Sequence, residues 1–266
     1  MDQKFPIIPV FKGALMAPFS KPLAILKSLL LFFGAIFISG IIVAVFVANS
    51  GEEALLQMQE QLAAGQLPEG YGSFLLVFLL SLVIVSLAAA HIFNYWVRFG
   101  AFGPDEAKFA SFGEAFSAST VNMLKFIFII IILGLVNLLV LFLMNTLGLG
   151  PDTALQPTGD IITDMLNSSL DQFTTTVITT VLACFVYSLF SANLTQTALR
   201  SDTEGMEHPH TVDFAIVLIL LYTSILIPAT LAALIGSGIL FVVIQFIFGL
   251  YIALCVPVAH GIRYRI

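Results

Sequence analysis

The sequence predicts an all-α, polytopic membrane protein: six transmembrane helices as three consecutive hairpins, with both termini cytoplasmic and short amphipathic helices at the interface. Three observations carry this. Of 266 residues, 59% are hydrophobic and only 10% are charged, well under half of the roughly 25% that wets an average soluble protein. Six apolar runs reach the ~20 residues needed to cross a bilayer core. All ten lysines and arginines fall on one side of the resulting weave, which chance sidedness would give about once in 500.

This composition, with a mean hydropathy of +1.04, excludes a soluble enzyme and a disordered segment. Ten cationic side chains against sixteen acidic ones leave no basic footprint for nucleic acid. Cys184 and Cys255 both sit inside apolar runs, with no CxxC and no disulfide framework.

The segment 1–22 is expected to be a cytoplasmic interfacial arm, too irregular for a signal peptide, in which 13–19 lies along the membrane surface. A single transmembrane domain then occupies 23–266, with hairpins at about 23–96, 121–199 and 214–260. Its spans are expected at 23–48, 73–96, 121–147, 174–199, 214–235 and 238–260. Each run is continuous, without the period-2 alternation of a barrel strand, so each reads as helix. After the first span, Leu55, Met58 and Leu62 line one face of an outer helix over 52–64. Between the second and third, Phe109, Phe112 and Phe116 stand at i, i+3 and i+7, the apolar face of a short interfacial helix that they anchor. After the third, Ile162, Met165, Ser169 and Phe173 repeat the outer helix, with Asp160 as its N-cap. Gly236-Ser237 alone joins the last two spans.

Charge sets the orientation. Lys4, Lys12, Lys21 and Lys27 precede or open the first span, Arg98, Lys108 and Lys125 follow the second, Arg200 follows the fourth, and Arg263 and Arg265 follow the sixth. The opposite loops carry Glu52, Glu53, Glu60, Glu69, Asp152, Asp160, Asp164 and Asp171 without a cation. The positive-inside rule makes the cationic side cytoplasmic, and the bacterial inner membrane is the expected location.

The hairpins look repeated. Residues 86–98 and 188–200, offset by 102 positions, share Ser-Leu-x-x-Ala, two polar residues three apart and a terminal arginine. His91 and Asn94 thereby match Asn193 and Gln196, and His260 follows in the third unit. Pseudo-symmetry would gather these five into a cytoplasm-facing polar cluster. The stretch before the first span, Phe11-Lys12-Gly13-Ala14-Leu15-Met16-Ala17, is matched by Phe112-Gly113-Glu114-Ala115-Phe116-Ser117-Ala118 before the third. The Phe112–Phe116 motif ahead of a long hydrophobic hairpin resembles a set of uncharacterised bacterial six-helix membrane families, including the membrane domain associated with glycerophosphodiesterases. That resemblance implies the six-helix layout and no catalytic residues, since the hydrolase chemistry of such proteins belongs to a separate soluble domain.

Tests for chemistry point away from an enzyme. Pro104-Asp105-Glu106-Ala107-Lys108 misplaces the ions of a mitochondrial-carrier motif, no Asn-Pro-Ala box exists, and the intramembrane serine motif of rhomboid proteases is absent. His208-Pro209-His210, near Glu204, Glu207 and Asp213, reads as a polar turn rather than a three- or four-ligand metal site. No catalytic residue, cofactor or metal is therefore expected. Deep in the spans, Asn137 and Gln245 either line a path or hydrogen-bond between helices. In the outer half of the fourth span, Thr176, Thr179 and Thr180 either line a pore or bond to carbonyls of the preceding turn. Ala35/Ser39, Ala229/Ala233, Ala232/Gly236 and Gly249/Ala253 are small-residue pairs suited to close helix approach. Pro228 and Pro257 interrupt the last two spans.

Two functions remain open. The first is an accessory or scaffold subunit acting through membrane lipid, protein partners or a second copy of itself. The alternative is a small channel or facilitator for a neutral or apolar solute. A solvent-accessible cavity reaching mid-bilayer, lined by Asn137, Gln245 or the Thr174–Thr180 stripe, decides for the second. A closed bundle with large apolar lateral contacts decides for the first.

Overall fold

The structure, a computed structural model, describes residues 5–51, 57, 60–61, 64–65, 70–146, 161–200, 210–234 and 238–265. Among these are seven α-helices: α1 (Ile7–Met16), α2 (Pro22–Ser50), α3 (Tyr71–Phe102), α4 (Phe112–Thr146), α5 (Ile161–Leu199), α6 (Thr211–Leu234) and α7 (Gly238–Arg265), with a 3-10 turn at Pro18–Ser20. Five helices are long and apolar enough to cross a membrane: α2, α3, α4, the Thr176–Leu199 part of α5 and the Val242–Arg265 part of α7. The protein is thus a polytopic membrane protein whose helices contact lipid. The described apolar part of α6, Thr211–Ile225, is shorter, although the helix itself runs for 24 residues.

Every expected span coincides with a helix, and the helices are longer than the apolar runs. α4 starts at Phe112 because Ser111 caps it, its Oγ accepting from the Glu114 N–H at 3.2 Å. The short interfacial helix expected over 109–116 is therefore not a separate element. Phe112 and Phe116 open a span, and Phe109 belongs to the turn before it. α5 likewise absorbs the outer helix expected after 160. At 39 residues it is about 58 Å long, so its first turns extend beyond a hydrocarbon core of about 30 Å. Most of 52–64 lies outside the described residues, as do Asp160 and the 236–237 turn.

The N-terminal arm packs against the helical bundle. Val10 and Ala14 of α1 are fully buried where the helix packs on α6 and α7. The Tyr251 hydroxyl donates to the Leu15 carbonyl, and the Phe19 ring lies 4.6 Å from that of Tyr251.

In lipid there is little hydrophobic force between helices, so close approach and hydrogen bonds must hold them. α3 and α7 form the central pair, crossing at Gly100 and Gly261. A Cβ on Gly261 would land on the backbone of Val97, Ala101 and Gly100, and one on Gly100 would land on Val258 and Gly261. α4, α5 and α6 close a ring around this pair, and α2 leans on α3. There Ala35 and Ser39 are buried, as their spacing predicts, and Ser39 Oγ donates to the Ser81 carbonyl at 3.3 Å. Gly249 is a correction: a Cβ there meets nothing within 4 Å, so no helix approaches it. The side chains of Ala229, Ala232 and Ala233 lie outside the described set.

Packing is uneven along the bundle. Buried residues concentrate near Ala88–Ala101, Ala115–Met123, Leu194–Leu199 and Leu254–His260, at the end that carries the cations. Toward the other end of α3, Phe74, Leu75, Leu76, Phe78, Leu79 and Leu80 are all exposed. At about 100° per residue such a run covers every side of the helix. Among the described residues, buried packing is densest at the cationic end, while at the other end the Phe46 ring of α2 still meets Phe74 of α3 at 6.3 Å.

Candidate functional site: an apolar cavity above a polar floor

Between the helices lies a cavity of about 600 Å³, within the roughly 300–1,000 Å³ of small-molecule sites. All six long helices line it, among them Phe32 of α2, Phe93 of α3, Phe126 of α4, Tyr187 of α5, Tyr222 of α6 and Pro257 of α7. None of the lining residues is charged. Thr180 and Cys184 add to the α5 wall.

Beneath it, hydrogen bonds between helices build a floor in two linked parts. In the first, the Ser119 hydroxyl donates to the Ala115 carbonyl at 2.7 Å. Its oxygen then accepts from Asn94 Nδ2 at 3.5 Å and from His91 Nδ1 at 3.3 Å. Asn122 Nδ2 donates to Asn94 Oδ1 and, at 3.1 Å, to the Leu194 carbonyl. Helices α3, α4 and α5 are thereby tied together. In the second part His260 is fully buried, with Nε2 3.0 Å from the Tyr187 hydroxyl and Nδ1 2.9 Å from Thr195 Oγ1. Phe93 and Phe214 present ring edges or faces to the imidazole at 5.2 and 4.8 Å.

Cations gather along the last turns of α5, over 191–199, where the helix dipole favours positive charge. Arg98 donates to the Leu199 carbonyl at 3.5 Å and Lys125 to the Asn193 carbonyl at 3.0 Å. Arg263 donates to Ser191 Oγ at 2.7 Å. Three other helices therefore each send one cation to this helix end. Arg98 also sits over the Phe109 ring at 4.8 Å and the Phe102 ring at 5.3 Å. Arg200 pairs with Glu114 at 3.8 Å.

The expected polar cluster is only partly assembled. His91 and Asn94 share one network and His260 belongs to its neighbour, linked through Leu194 and Thr195. Asn193 does not join them: it is exposed, and its side chain accepts from Lys125. Gln196 is half-buried. The reason is helical phase. Ser191 and Thr195 face the core, and Asn193 lies about 200° around the helix from Ser191. The positions matched at the 102-residue offset consequently occupy different surroundings.

Of the deep polar residues, Thr180 lines the cavity. Thr176, one turn beyond it, is exposed, and Thr179 Oγ1 donates to the Thr176 carbonyl at 3.1 Å. Asn137 lies one turn beyond the lining residue Leu133 and is exposed, as is Gln245. Phe112 is 85% exposed and stacks on Phe116 at 6.2 Å, whereas Phe109 is half-buried beneath Arg98.

Among the described residues no group of three or more His, Cys, Asp or Glu could hold a metal ion. His210 instead contacts Asp213 at 2.9 Å, and His208 lies outside the described residues. Cys184 and Cys255 are buried free thiols. Sequence reasoning missed Ser119, Thr195 and Tyr187, since serine, threonine and tyrosine in apolar spans carry no periodic mark, and Asn122, which stands at the very start of the span expected over 121–147. It also missed Gly100 and Gly261, which lack a small partner four residues away.

No protein-family model, curated protein or solved structure matches the chain. The roles of these residues rest on their own geometry.

Proposed function

We propose that the chain crosses the bilayer six times with both termini cytoplasmic, and that it takes an apolar, lipid-like solute into the cavity between its helices as a binder or facilitator rather than an enzyme. One observation carries the reading: an uncharged cavity of about 600 Å³ lined by all six long helices. A polar floor closes it toward the cationic end, where the described residues pack most densely. An apolar solute would move between the cavity and the bilayer without crossing a charged barrier. The one-sided cations and the helix lengths support the orientation.

Orientation has a direct test. In Ser50→Cys the thiol should react with an impermeant maleimide on intact cells, and in Ser111→Cys only after permeabilisation. The reverse pattern at both sites would sink the arrangement.

The single tryptophan offers a reporter for the cavity. Trp96 is fully buried and donates through Nε1 to Ser28 Oγ at 3.0 Å, and Ser28 lines the cavity. A brominated alkane that enters the cavity should quench Trp96 fluorescence, and Ala253→Phe, which narrows the wall, should weaken that quenching several-fold. Equal quenching in both proteins would remove the cavity as a binding site. The accessory reading would then stand, supported by α2, which packs mainly on α3 and leaves Leu30 and Phe37 exposed.

A further inference from the structure

We infer that the cavity selects an uncharged single-chain lipid bearing a hydroxyl, and that this hydroxyl donates a hydrogen bond to the phenolic oxygen of Tyr187. The inference rests on the cavity reading above and adds the class of ligand.

Charge is the first argument. No lysine, arginine, histidine or acid lines the cavity. A carboxylate or phosphate carried into it would lose its hydration and find no counter-charge, at a cost far above that of a neutral group. The ligand is therefore neutral, and the volume suits one chain rather than a two-chain lipid.

Direction of hydrogen bonding is the second argument, and it follows atom by atom. The Thr195 hydroxyl donates to the Ser191 carbonyl at 2.9 Å, so its single proton is used. With that proton on the carbonyl, Thr195 Oγ1 accepts from the imidazole 2.9 Å away, and we assign the His260 proton to Nδ1. Nε2 is consequently an acceptor, and the Tyr187 hydroxyl 3.0 Å from it must be the donor. The phenolic proton of Tyr187 is thus committed to His260, while its oxygen keeps acceptor capacity. Tyr187 lines the cavity, so a donor on the ligand completes the set.

Tyr222 lines the same cavity and brings a phenolic proton. A ligand hydroxyl both donates and accepts, so Tyr187 and Tyr222 together match it. An ether or ester oxygen, which only accepts, satisfies Tyr222 alone. Burial of His260 and its ring contacts to Phe93 and Phe214 keep the imidazole from turning, so the polarity of Tyr187 is built in. The remaining wall is mostly apolar, with Phe32, Phe126, Leu133 and Leu250 around the hydroxyls of Ser28, Ser86 and Thr180, and suits the chain.

The test is photolabelling of the purified full chain in nanodiscs with a diazirine-bearing hexadecanol, competed by hexadecanol, hexadecyl methyl ether, hexadecane or palmitate. Label is expected on cavity-lining peptides, with hexadecanol competing roughly tenfold better than its methyl ether, the worth of one hydrogen bond. In Tyr187→Phe this advantage should vanish while competition by hexadecane stays unchanged. If that variant does not fold, the alcohol–ether comparison in the unaltered protein decides alone. Equal competition by alcohol and ether, or palmitate matching hexadecanol, would overturn the inference and leave an apolar cavity standing. Absence of competable label on cavity peptides would overturn the cavity reading itself.

Discussion

Gly261→Val is expected to abolish the folded protein. The α3–α7 crossing brings backbone against backbone, and a side chain at 261 would meet main-chain atoms of Val97, Gly100 and Ala101. Overpacking against flexible side chains typically costs about 1–3 kcal/mol, and backbone cannot move aside in that way. The two helices would have to separate, taking with them the hydrogen bonds of His260 to Tyr187 and Thr195. Gly100→Val should behave alike, because its Cβ would meet Val258 and Gly261 from the other side. Gly249→Ala is the control: its Cβ meets nothing, and alanine is the better helix former by up to about 1 kcal/mol. Size-exclusion profiles and SDS titration in mixed micelles would read all three. A Gly261→Val protein that stays monodisperse, with an unfolding midpoint near that of the parent, would refute the close crossing.

Trp96→Ala should cost about 3–5 kcal/mol, the usual range for removing a buried Trp or Phe. The indole is fully buried, its ring meets Phe99 at 5.0 Å and Tyr95 at 5.4 Å in edge contacts, and Nε1 holds Ser28 of α2 at 3.0 Å. Among the described residues α2 is also tied to α3 by Ser39 Oγ donating to the Ser81 carbonyl. Trp96→Phe keeps most of the volume and isolates the hydrogen bond, whose loss should cost about 0.6–2 kcal/mol. Ser28→Ala should cost a similar amount alone and little more when combined with Trp96→Phe. Additive losses in that cycle would mean that the bond does not hold α2.

Some of the site was legible before any helix was placed. His91, Asn94 and His260 are polar in otherwise apolar runs, and each lies in the floor. The residues that complete it were not legible. Ser119, Asn122, Thr195 and Tyr187 acquire their roles from helices that pass one another, and hydroxyls in a span can equally satisfy a carbonyl on the preceding turn, as Thr120 does with Phe116 at 2.9 Å. Asn193 matches His91 by its place along the chain at the 102-residue offset. Helical phase turned it outward to Lys125, and the match along the chain carried no information about rotation.

The sequence by itself determined which segments are helices, that they lie in a membrane, and which ends carry the cations. These depend on residue type summed along the chain: apolar length against bilayer thickness, and lysine and arginine against the two sides. The start of α4 follows from the Ser111 cap, which the spacing of Phe109, Phe112 and Phe116 did not show. Only the tertiary structure decided which face of each helix turns inward, where α3 and α7 cross, and that a cavity lies above a sealed floor. In a soluble protein the polar face of a helix points to water, so its pattern reveals its rotation. In a bilayer the outward face meets lipid and is as apolar as the inward one. That removes the contrast from which rotation could be read, so the facing of α4 and α7, with leucine, isoleucine, valine and phenylalanine on every side, is set by the neighbours each helix meets.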